Sequence, residues 1–100
     1  MLVFVTQANC IHCLKMQRTT LPDPRVAAAI SAGYVPLALD GAAASPLLRD
    51  LRVQMYPSTF VISPSAIILE RWEGFVPPDK LSQRLTTLGR SRTLATYARQ

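Results

Sequence analysis

Only two cysteines, four glycines, one histidine and one tryptophan occur in 100 residues, and each scarcity narrows the reading. Two cysteines cannot build the network of bridges that staples small secreted domains, and both sit in one short motif, Cys10-Ile11-His12-Cys13. No apolar run approaches the roughly 20 residues that a membrane-spanning helix requires. Residues 1–5 are too short for the core of a signal peptide and carry no basic flank or small-residue cleavage site. Charged residues are 17% of the chain against 49% apolar, which argues against disorder and for one domain with a filled interior. There are no internal repeats and no linker. The compartment stays open: cytoplasmic if the chain is native as given, extracytoplasmic if it is a domain cut from something longer.

Acidic residues are also few, six against eleven basic ones, for a net charge of +5. Up to Asp79 the signs balance, with Lys15, Arg18, Arg25, Arg49, Arg52 and Arg71 against Asp23, Asp40, Asp50, Glu70, Glu73 and Asp79. The excess comes from Lys80, Arg84, Arg90, Arg92 and Arg99. Such a cluster can meet nucleic acid or anionic lipid. Only Tyr97 interleaves with it as an aromatic, so it reads as a solvated face and tail, with no nucleic-acid partner and no membrane insertion.

What the chain does have is organised around the cysteine pair. Leu2-Val3-Phe4-Val5, apolar and rich in β-branched residues, reads as a buried parallel strand, and residues 6–9 as the loop that presents the cysteines. A helix is expected over 10–20, ended by Pro22 and Pro24. Two sulfurs three residues apart across the first turn of a helix can form a small-loop disulfide and break it again. The first faces the unpaired N–H groups and partial positive charge of the helix N-terminus, which favour thiolate. Cys10, at the exposed end, would attack, and Cys13, one turn further in, would resolve the mixed disulfide. Zinc is a poor alternative, because His12 lies between the sulfurs and cannot easily close a tetrahedron with them. Covalent haem needs histidine after the second cysteine, where Leu14 stands.

Asp23-Pro24 restarts a helix as N-cap and first-turn proline, closed by Gly33. A second strand is expected over 34–39, ended by Asp40-Gly41, then a short helix from Ser45 with Pro46 at its first position. Ser58-Thr59-Phe60-Val61-Ile62 reads as the third strand, and Ser63-Pro64-Ser65-Ala66 as a turn, so a fourth strand over 67–72 returns antiparallel. Gly74 breaks it, and a last helix places Leu81, Leu85 and Leu88 on one face. Beyond Gly89 the periodicity weakens, and 89–100 is expected to be a basic C-terminal segment, frayed or loosely helical, after a domain spanning 1–88. Met16 and Met55 read as gap-filling core residues, Trp72 and Phe75 as core or rim packing, and Lys15 as solvated.

The resulting order, β-α-β-α-β-β-α, with a Cys-x-x-Cys at a helix start, Pro57 before the third strand and Gly74 after the fourth, resembles the thioredoxin fold. The likeness covers about residues 2–88. Asp23-Pro24-Arg25-Val26-Ala27 and Tyr56-Pro57-Ser58-Thr59 resemble in particular the bacterial subgroup that includes the soluble domain of the disulfide reductase DsbD. The resemblance implies an α/β fold of minimal thioredoxin-like type, with one mixed four-stranded sheet and helices on both faces. It implies a protein-disulfide oxidoreductase that exchanges disulfides with protein thiols and disulfides and is reset by an upstream redox partner. No dissociable cofactor is needed, since the electrons reside on the cysteines. It also implies that Tyr56-Pro57 is cis, lies against the pair and shapes the substrate groove. His12 matches the Cys-x-His-Cys of disulfide isomerases and Dsb oxidants, where imidazole lowers the first thiol's pKa and favours the reduced form.

The chain departs from thioredoxins proper at Asn9, Ile11-His12 and Phe4, where those proteins carry Trp, Gly-Pro and a buried Asp. A carboxylate that assists the resolving cysteine is therefore missing. The alternative from another class is a non-catalytic thioredoxin-fold module that binds proteins through the same groove and keeps its disulfide as a structural bridge.

Overall fold

The computed structural model describes residues 1–43 and 45–98, with side chains described through Arg90. The elements are β1 (Leu2–Thr6), α1 (Ile11–Lys15), a π-helical turn (Met16–Thr20), α2 (Pro24–Gly33), β2 (Pro36–Asp40), α3 (Pro46–Leu51), β3 (Ser58–Ile62), β4 (Ile68–Glu73) and α4 (Pro78–Ala98). They build one mixed sheet of order β2-β1-β3-β4, with β1 and β2 parallel and the other pairs antiparallel.

The continuous apolar run of β1 follows from cover on both faces. Leu2 and Phe4 pack with Val61 of β3, Met16, Val26 of α2, and Leu81 and Leu85 of α4. Val3 and Val5 pack on the opposite face with Phe60, Ile62 and the α3 residues Leu48 and Leu51. The strand alternation sorts residues between two cores, which holds the sheet between helices.

Local signals set several boundaries. The Asp23 carboxylate accepts from the Arg25 backbone N–H at 2.9 Å, and Pro24 takes the first position of α2. The Arg25 guanidinium, 3.2 Å away, holds that carboxyl below its ordinary range by hydrogen bonding. Ser45 and Pro46 open α3, and Arg52 ends it in the left-handed conformation, φ 53°. The Ser63 hydroxyl accepts from the Ile67 N–H at 3.1 Å and tightens the β3–β4 turn.

The structure corrects four expectations. β2 begins at Pro36, because Tyr34 turns inward as the C-cap of α2 and its hydroxyl donates to the Leu85 carbonyl at 2.7 Å. A buried ring between α2 and α4 removes more apolar surface from water than one on β2, an edge strand largely exposed to solvent. The helix over 10–20 is not uniform. It widens at Met16–Thr20, where Leu21 N–H bonds the Met16 carbonyl five residues back and the buried Thr20 hydroxyl donates to Val76 O at 2.6 Å. β4 runs one residue later than expected, and Met55 is half-exposed, not a core filler.

α4 passes Gly89 without a break, with Leu81 and Leu85 buried and Leu88 partly so. The frayed segment expected over 89–100 falls mostly outside the described side chains, as do Arg92 and Arg99. Of the other residues of the basic cluster, Lys80 and Arg90 are exposed and Arg84 pairs with Glu70 at 3.0 Å.

Candidate active site

β1 releases the chain at Thr6, and Asn9, left-handed at φ 58°, turns it into Cys10. Cys10 is the N-cap of α1. Its backbone is extended (φ −101°, ψ 106°), and its Sγ accepts from the Cys13 N–H at 3.1 Å. The first sulfur therefore occupies the place an N-cap oxygen usually fills, facing otherwise unpaired amides. Cys10 and Cys13 form a disulfide with Cα atoms 5.2 Å apart. Cys10 is half-buried and Cys13 only 3% exposed. A partner sulfur approaching from solvent meets Cys10 before the buried Cys13.

His12 is exposed on the same turn. Met16, one turn after Cys13, is fully buried and anchors this helix to the sheet.

The second part of the site comes from the start of β3. Ser58 lies opposite Val5 near the end of β1, so Tyr56 and Pro57 stand at the sheet end where the chain leaves for Cys10. The Tyr56–Pro57 bond is cis and Pro57 is fully buried. Pro57 O accepts from the Gly74 N–H at 2.7 Å, and the Ser58 hydroxyl donates to Met55 O, so the loop is tied to both its neighbours. Gly74 adopts φ 90°, open to glycine and strained for other residues. Tyr56 is half-buried, with its ring against Gly41, whose N–H donates to Thr6 O at 2.7 Å.

The cysteine turn, Tyr56-Pro57, Gly41 and Gly74 thus gather at one end of the sheet, beyond the carboxyl ends of the parallel strands β1 and β2. Around them Ile11 (78% exposed), Leu14 (47%) and Met55 (49%) supply apolar surface, and Lys15 Nζ lies 4.4 Å from the centroid of the Phe75 ring. Trp72 and Phe75 pack partly buried against the core. A cavity of about 390 Å³ beside Tyr56 is lined by Gly41, Ser45, Leu48, Arg49 and Val53 among others.

The Gly41–Tyr56 contact and the Lys15–Phe75 stack escape sequence reading. The first had one signal, a glycine directly after the strand-ending Asp40. The contact gives a testable expectation. A Cβ at residue 41 would overlap Cε1, Cζ and Oη of Tyr56, the movable end of that side chain. Gly41→Ala should therefore leave stability within about 1 kcal/mol, since only the far end of a half-buried ring must shift. Urea unfolding of both proteins checks this, and a much larger loss would mean that the ring cannot swing aside.

A family model for a thioredoxin-like domain matches residues 1–89. No curated protein matches significantly. Among solved structures, the oxidised DsbD C-terminal domain of Neisseria meningitidis is similar at 25% identity and TM-score 0.72, covering 87% of this chain and 78% of that one. A thioredoxin from Thermus thermophilus shares 22% identity at TM-score 0.72, over 87% and 71% of the two chains. The reduced periplasmic thioredoxin SoxS of Paracoccus pantotrophus shares 18% at TM-score 0.63, over 87% and 92%.

Proposed function

The chain belongs to the thioredoxin-like domain family and is a thiol-disulfide oxidoreductase, and from that premise we propose a role for each residue of its site. In the reducing direction, the Cys10 thiolate attacks one sulfur of a protein disulfide. A Cys10–substrate disulfide forms as the substrate S–S bond breaks, and the departing substrate thiolate takes a proton from water. The Cys13 thiolate then attacks Cys10 Sγ, closes the Cys10–Cys13 disulfide and releases the second substrate thiol. Two electrons have moved from the pair to the substrate, and an upstream dithiol protein restores the pair by the same steps in reverse. In the oxidising direction the same sequence runs backward from the disulfide.

Cys10 is the nucleophile because it is the accessible sulfur at a helix N-terminus, and Cys13 resolves because it is buried one turn away. The backbone of Tyr56 would receive an extended substrate segment while Pro57 shapes the groove floor. His12, exposed on the turn between the sulfurs, would favour the Cys10 thiolate by a charge or hydrogen-bond contact. The observation that carries this reading is the Cys10–Cys13 disulfide, with one reachable and one buried sulfur at the mouth of the family's fold.

The test is equilibrium of the purified chain with glutathione redox buffers, followed by alkylation of the freed thiols. Reversible reduction and reoxidation is expected. A potential near about −270 mV would make it a reductase, and one between about −180 and −120 mV an oxidant or isomerase. A pair that neither reduces nor reoxidises would leave only a binding role. In the same assay His12→Pro should make the pair more reducing, on the order of 30 mV for one lost charge contact. An unchanged equilibrium would take His12 out of the redox machinery.

A further inference from the structure

Thr59 carries a buried group that the roles above do not use. It is fully buried in β3, and among the described residues its Oγ1 is the one buried side-chain oxygen or nitrogen without a hydrogen-bond partner. Native proteins seldom leave a buried hydroxyl unsatisfied, so its position needs an explanation.

Its place in the sheet supplies one. Thr59 lies opposite Phe4 of β1 and Trp72 of β4, two residues past Pro57. By alternation it shares a face with Val61, whereas Phe60 and Ile62 face α3. The Val61 face, with Leu2 and Phe4, is the one on which Met16 packs. Cys13 precedes Met16 by three residues, on the same side of the helix, and is itself buried. The unpartnered hydroxyl and the buried sulfur therefore lie on the same side of the sheet, near its active-site end.

A sulfur in a disulfide has no hydrogen to donate and accepts weakly, so the hydroxyl gains little from Cys13 in the oxidised state. Opening the disulfide changes this, because a thiolate is a strong acceptor and a thiol also a donor. We propose that Thr59 is a positioning residue for the exchange reaction: its hydroxyl hydrogen-bonds Cys13 Sγ once the Cys10–Cys13 bond opens, and it has no partner in the closed form. Thr59 neither gains nor loses a proton. It holds Cys13 Sγ for attack on the Cys10 mixed disulfide. The bond exists only in the reduced form and stabilises it relative to the disulfide. The proposal rests on the exchange function given above.

The test compares wild type, Thr59→Val and Thr59→Ser in glutathione buffers, with thermal unfolding of each in both redox forms. Thr59→Val should shift the equilibrium toward the disulfide by about fivefold to tenfold, tenfold being about 30 mV. It should also unfold at a higher temperature when oxidised, where the unsatisfied hydroxyl is gone, but not when reduced. Thr59→Ser should restore the wild-type equilibrium. If the valine variant does not fold, Thr59→Ala against Thr59→Ser makes the same comparison, since both lose the methyl and only serine keeps the hydroxyl. An equal stability change in both redox forms with an unmoved equilibrium overturns the proposal and points to a hydroxyl satisfied by buried water. A wild-type pair that does not cycle at all would instead overturn the exchange function.

Discussion

Replacing Cys10 with serine reduces protein-disulfide exchange to the uncatalysed background, a loss of about a thousandfold or more, because nothing else in the molecule can take its place. The chain has two cysteines, and the remaining one is 3% exposed behind the first turn of α1. Little of Cys13 is open to a substrate disulfide. Cys13→Ser gives a different result: Cys10 still attacks, but with no resolving thiol the reaction stops at one equivalent of mixed disulfide. Single-turnover kinetics with a protein disulfide substrate, with intact-mass analysis of the adducts, separates the two outcomes. Sustained turnover by either variant would contradict the division of labour between the two sulfurs.

The second large effect concerns stability. Phe60→Ala should cost about 3–5 kcal/mol, the range for removing a fully buried phenylalanine from a core that cannot collapse around the gap. Phe60 is completely buried in β3, between β1 and β4, and packs with Val3, Val5, Leu48, Leu51 and Ile62. The guanidinium of Arg71 lies 4.6 Å from its ring centroid while the same arginine donates to Leu51 O, so the ring also helps place the end of α3. Small domains have a total stability of about 5–15 kcal/mol, so a large share would be lost. Val35→Ala, on a side chain 70% exposed, should change stability by less than about 0.5 kcal/mol. Urea unfolding with the disulfide intact reads both. A Phe60→Ala loss below 1 kcal/mol would mean that the α3 side of the sheet repacks far more freely than this core implies.

Most of the architecture was legible because it rests on short-range rules. Pro24 after Asp23 and Pro46 after Ser45 mark helix starts by chemistry within two residues. The hairpin turn over 63–66 and the strand at 58–62 follow from residue type and turn signals. The active pair was legible for the same reason: a Cys-x-x-Cys placed between an apolar strand and a helix fixes where the sulfurs are relative to the helix amides. What escaped depends on partners far along the chain. Tyr34 looked like strand because an aromatic beside Val35 suits one, and its actual partner, Leu85, lies fifty-one residues on. Met55 looked like core by composition, but its loop is tied back by Ser58 and borders Gly74, which leaves the side chain at the rim.

By itself, then, the sequence determined the element order, the helix and turn boundaries set by proline, glycine and capping residues, and which two sulfurs react, since each depends on interactions within a few positions. The tertiary structure alone decided that Tyr56 leans on Gly41, that Thr20 and Tyr34 hydroxyls find carbonyls on distant segments, and that the Thr59 hydroxyl finds none. Burial and hydrogen-bond satisfaction depend on which elements are packed across the sheet, and local pattern does not specify that packing residue by residue.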